Sequence, residues 1–90
     1  MTSATTTRPA ELAGLPAEKQ VTLDVRPILR DGGEPFGEIM AAATQVPPGG
    51  ALCLRATFKP VPLFAVLRVR GFKHWIEHGE GDDWIVWFYR

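Results

Sequence analysis

Apolar residues in this chain recur at a period of two, then 3.6, then two, then 3.6, then two, and that succession leaves few folds open. Val21, Leu23 and Val25 alternate with Thr22, Asp24 and Arg26, which is the pattern of a strand buried on one face. Phe36, Ile39, Met40 and Ala43 then follow at the i, i+3, i+4, i+7 spacing of one helical stripe. The spacing predicts a helix from about Pro35 to Gln45, with Pro35 in the first turn, where a missing N–H costs nothing. Pro47-Pro48-Gly49-Gly50 ends it and reverses the chain. Leu52, Leu54, Ala56 and Phe58 alternate with Cys53, Arg55 and Thr57 as a second strand. Lys59-Pro60-Val61-Pro62 opens a second helix with the stripe Leu63, Val66 and Leu67, closed by the cation Arg70 and by Gly71. Two more strands, Phe72 to His78 and Trp84 to Tyr89, flank the turn residues 79–83.

The resulting order, β-α-β-α-β-β, specifies an α+β fold. Its economical form is a two-layer α/β sandwich, a mixed four-stranded sheet with both helices on one face and the other face open. Leu23, Val25, Ile39, Leu54, Leu67 and Phe72 are the expected core. Ninety residues hold one such domain, placed at residues 20–90. Residues 1–19 are rich in Thr, Ala and Pro, with Leu12 and Leu15 as their large apolar residues, and are expected to form a flexible tail.

Ten basic residues balance ten acidic ones, so no global field attracts nucleic acid or an anionic membrane, and neither is an expected partner. No apolar run nears the roughly 20 residues that span a bilayer, no secretory leader is evident, and Cys53 is the single cysteine. A cytoplasmic, reducing address is expected.

The segments Leu23-Asp24-Val25-Arg26, Glu34-Pro35-Phe36, Pro47-Pro48-Gly49-Gly50, Phe58-Lys59-Pro60-Val61-Pro62-Leu63 and Arg70-Gly71-Phe72 occur in order from about Val21 to Phe88. Together they resemble a family of uncharacterised bacterial proteins, domain of unknown function 2249, which is similar to the TusA/SirA sulfur carriers. The resemblance implies the TusA/SirA-like sandwich. In those carriers a cysteine at a helix N-terminus bears a persulfide, where the helix dipole favours a thiolate. Here the matching segment is Gly32-Gly33-Glu34-Pro35, so a carboxylate or a glycine stands at that place and the carrier step does not transfer. Some members of the family carry Arg-His before the first helix and Asn-Asp-His-Asp before the second. This chain has Gly33-Glu34 and Ala56-Thr57-Phe58-Lys59 there, so a function resting on those histidines does not transfer either.

Cys53 is expected in mid-strand opposite Leu52 and Leu54, without an activating dipole, as a structural thiol rather than a sulfur-transfer nucleophile. His74 and His78 lie four strand residues apart, about 13 Å, too far to chelate one metal. Asp24 and Arg26 are expected to pair across the strand end rather than to perform acid/base work. Glu34 complements the first helix's N-terminus, and Lys59 is a weak anion-site candidate, since Pro60 and Pro62 remove amide donors beside it. Glu80, Asp82 and Asp83 read as a solvated turn. No cofactor is implied.

Trp75, Ile85, Trp87 and Tyr89 are expected to project from the open sheet face, an apolar patch larger than a monomer needs. The leading functional expectation is therefore a non-enzymatic binding or adaptor domain that uses this face for self-association or a protein partner. The alternative is a sulfur- or redox-linked accessory of the TusA type without the carrier cysteine, or acting through Cys53.

Overall fold

The computed structural model describes residues 9–90. The first strand, β1, spans Gln20–Asp24 and is followed at once by a short helix, α1, at Arg26–Arg30. Helix α2 covers Phe36–Thr44 and strand β2 covers Ala51–Ala56. Helix α3 runs over Val61–Val69, and strands β3 and β4 over Lys73–His78 and Trp84–Tyr89. The sheet order is β1-β2-β4-β3, with β1 and β2 parallel and the other two neighbouring pairs antiparallel. This is the mixed four-stranded sheet of an α+β fold.

The helical face holds the main core. Leu52, Leu54 and Ala56 of β2 and Val86 and Phe88 of β4 pack against Ile39 and Ala43 of α2 and Leu63 and Leu67 of α3, with Val25 and Phe72 closing its ends. Leu54, Leu67 and Val86 have no exposed surface, and each such side chain contributes about 1.5 to 3 kcal/mol by burial. Leu23 is partly buried against the same core. At the end of α3 the backbone of Gly71 takes a φ of +94°, the left-handed turn that only glycine adopts without strain.

Three expectations require correction. Residues 27–33 hold the turn of helix α1 rather than a simple break, and Arg26 belongs to that helix rather than to the strand. The second strand stops at Ala56, so Phe58 does not continue its inward face and is 51% exposed; Phe36, on the expected buried stripe of α2, is 45% exposed.

The third correction concerns the expected tail. Residues 1–8 lie outside the described residues, but Pro9 to Lys19 is not a free tail. It makes one turn, in which the N–H groups of Leu12 and Ala13 both donate to the Pro9 carbonyl, and then a 3-10 turn at Ala17–Lys19. Leu12 is 2% exposed, packed with Ala51, Cys53, Trp87 and Tyr89 on the sheet face opposite the helices. Leu15 packs beside it, and its carbonyl accepts a hydrogen bond from the Gln20 side chain at 2.9 Å. The segment enters β1 against Gly50, where a Cβ would come within 2.5 Å of the Lys19 carbonyl oxygen. Burial of Leu12 supplies about 1.5 to 3 kcal/mol toward the cost of ordering this segment.

Candidate functional site

The parallel strands β1 and β2 end side by side, and the chain leaves them toward the first turns of α1 and α3. Open α/β sheets place ligands in the crevice outside such strand ends. Here a groove of about 210 Å³ lies there, walled by Val25, Leu29, Ile39 and Leu63 and rimmed by Phe36 and Phe58. Pro35, Pro60 and Pro62 stiffen its sides, and Glu34 is the one ionisable residue in its lining.

Both helix N-termini at this groove are already satisfied or blocked. A Glu34 carboxylate oxygen accepts the N–H of Phe36, so the first turn of α2 carries its own negative charge. Pro60 caps α3 and Pro62 follows in its first turn, so the amides an anion would use are missing. Lys59 is exposed and stands outside the groove lining, so the pairing of Lys59 with an anion at α3 is not assembled. The lining holds no hydroxyl, thiol, amine or imidazole. Apart from Glu34 the lining is apolar, suited to receiving an apolar group.

Asp24 and Arg26 do meet, by a different route from the one expected. Helix α1 turns Arg26 back so that its guanidinium binds Asp24 at 2.7 and 2.9 Å, while its backbone N–H donates to the same carboxylate at 3.0 Å. The side-chain hydrogen bond from Arg26 holds the Asp24 carboxyl down at about 2. Arg26 is raised in turn by Asp24. Asp83 completes the cluster, 3.3 Å from Arg26 and doubly bonded by the Arg55 guanidinium, whose hydrogen bond lowers its pKa. Asp83 therefore leaves the solvated turn it was assigned to. A carboxylate held at about 2 is matched to structure rather than to proton transfer near neutrality. The cluster ties the ends of β1 and β2 to the β3–β4 turn. Arg55 gave no sequence signal, because its partner lies 28 residues away.

Trp75, Ile85, Trp87 and Tyr89 share the sheet face opposite the helices, as their alternation requires, and Cys53 joins them there. Trp87 is the cross-strand neighbour of both Trp75 and Cys53. That face is not left uncovered. Leu12 and Leu15 lie over it, so Trp87 and Cys53 are each 9% exposed and Tyr89 8%. The Trp87 indole N–H donates to Glu77 at 3.2 Å. Trp75 and Ile85 remain half-buried beside the covered part.

His74 and His78 are both on exposed strand β3 positions, each in its own ring stack. His74 lies on Phe64 with centroids 4.0 Å apart, and His78 lies on Trp84 at the same distance. Among the described residues no helix is long and apolar enough to cross a membrane.

The sequence model of one family, described as "Uncharacterized conserved protein (DUF2249)", matches residues 22–90. No curated protein and no solved structure matches the chain.

Proposed function

We propose, from the premise that this chain belongs to the DUF2249 family of uncharacterized conserved proteins, that it is a non-catalytic binding domain whose groove receives an apolar side chain of a partner protein. The observation that carries this reading is the groove itself, an apolar crevice at the ends of β1 and β2, rimmed by two exposed Phe rings and with Glu34 as its one ionisable lining residue. Exposed apolar rings on a small monomer mark an interaction surface more often than chance. Its volume, about 210 Å³, is below the 300 to 1,000 Å³ of a typical small-molecule pocket, and it is open on one side. A protruding Leu, Phe or Trp fits such a shape, with the rim closing over the partner's backbone.

The sheet face drawn from the alternation of Trp75, Ile85, Trp87 and Tyr89 gives way to this groove, because the chain's own Leu12 occupies much of it. Kinship with the TusA/SirA carriers is a reading from sequence resemblance, and with Glu34 rather than a cysteine just ahead of α2 it brings no sulfur step. Cys53 lies on the far side of the sheet from the groove.

The test is selection of short peptides on the full chain, followed by mapping of amide shifts. Peptides with one large apolar anchor that perturb Ala56, Phe58 and Leu63, and whose binding Phe58→Glu abolishes, are the expected result. Peptides that instead map to Trp75 and Ile85 would return the binding surface to the sheet face.

A further inference from the structure

The groove at the ends of β1 and β2 is apolar except at Glu34, which is exposed just ahead of α2. One oxygen of that carboxylate accepts the Phe36 N–H, and among the described residues the group forms no ion pair. A carboxylate has about four acceptor sites, so most of its capacity remains for a ligand. Neighbouring bases are absent or engaged. From Asp31 to Leu54 the chain holds no Lys, Arg or His. Arg30 pairs with Asp82 at 3.4 Å, and Arg55 pairs with Asp83. Across the groove the base is Lys59, which stands outside the lining; its charge is felt instead at His74, whose pKa is lowered first by burial and then by Lys59 and Arg68. The N-terminal dipole of α2, about half an elementary charge, offsets Glu34 only in part.

An apolar side chain docking here takes water away from that carboxylate, and a desolvated charge left alone costs more than one that is paired. A cation on the incoming segment removes the cost, whereas an anion adds repulsion. The Phe36 ring favours the same sign, since it is exposed, its own residue is bonded to Glu34, and an aromatic face attracts a cation. We propose, on the reading that this groove is the binding surface, that the partner segment filling it carries a lysine or arginine beside its apolar anchor, held by Glu34 and Phe36. Segments with Asp, Glu or a terminal carboxylate in that place are rejected by the same group.

Three capped heptapeptides of Gly and Ser with a central Trp, flanked on both sides by Lys, by Gln or by Glu, are titrated into the full chain at low salt while the amides of Phe36, Phe58 and Leu63 are followed by NMR. The Lys peptide is expected to bind roughly three- to fivefold more tightly than the Gln peptide, and the Glu peptide more weakly by a similar factor. High salt should draw the three affinities together, because the pairing lies at an open rim. Glu34→Gln keeps an acceptor for the Phe36 N–H and removes the charge, so the three peptides should bind this variant alike. Glu38→Gln, outside the lining, should preserve their ranking. Equal affinities of the Lys and Gln peptides for the parent chain, or a ranking that survives Glu34→Gln or is lost equally in Glu38→Gln, would overturn the charge preference and leave the groove as the binding surface. Failure of all three peptides to shift those amides at millimolar concentration would overturn the groove reading itself.

Discussion

Leu12 and Trp87 are buried in one cluster, and through it the segment ahead of the first strand becomes part of the second, smaller core. The side chain is 2% exposed and its neighbours Ala51, Cys53 and Tyr89 are nearly as well buried.

Removing that contact should be costly. Leu12→Ala is expected to lose about 2 kcal/mol, at the lower end for a buried leucine because the cluster is small. In a domain of this size that lowers Tm by roughly 10 °C. Deleting residues 1–17 should do at least as much, and a melting curve unchanged by the deletion would show that the segment does not hold the sheet. Trp87→Glu, which places a charge under Leu12, should unfold the chain rather than merely alter its surface.

The same cover controls the thiol. Cys53 is 9% exposed beneath the Leu12 cluster, so alkylation of the native chain near neutral pH should be slow. In Leu12→Ala the rate should rise severalfold while Cys53→Ser leaves the fold intact. Equal labelling rates in the two forms would place the opening motion elsewhere.

Asp24 supplies a pH signature. Its folded pKa, about 2, lies below the ordinary value of 3.8, so its ion pair stabilises the native state at every pH above 3.8 and is lost as pH falls toward 2. The pair is partly exposed, which limits its worth to roughly 1 kcal/mol or less. Asp24→Asn should therefore melt lower than the parent at pH 7 and coincide with it near pH 2, as followed by urea unfolding at the two pH values. A gap that persists at pH 2 would mean that the residue acts by packing rather than by charge.

Stability and binding should separate at the groove. Phe36→Glu and Phe58→Glu change exposed rings and are expected to shift stability by no more than about 0.5 kcal/mol. Leu54→Ala, beneath the same groove and fully buried, should cost about 2 to 5 kcal/mol. Chemical denaturation of the three variants distinguishes the rim from the floor; large losses in the Phe variants would assign those rings to the core.

The periodicity of Val21 to Val25, Leu52 to Ala56 and Trp84 to Tyr89, read against the helical stripes Ile39 to Ala43 and Leu63 to Leu67, was sufficient for the strands, for α2 and α3 and for the face each residue within those strands takes, but not for α1, whose five residues are too few to show a helical period. Alternation is a local property of the backbone, so Trp75 and Trp87 could be placed on one face without knowing the fold. The Asp24–Arg26 pair was legible for the same reason, two residues being within reach of each other along the chain. What covers that face, and what completes that ion pair, depend on contacts between distant segments. Leu12 meets Trp87 across 75 positions, and Arg55 meets Asp83 across 28. The groove is of the same kind, since Phe36 and Phe58 fall on apolar stripes yet are exposed in the folded chain, Phe58 because β2 ends at Ala56. The sequence by itself determined the strands, the two longer helices and the faces they present, which follow from backbone geometry. Only the tertiary structure decided which apolar surface the chain closes with its own residues and which it leaves to a partner, because burial belongs to the packed whole.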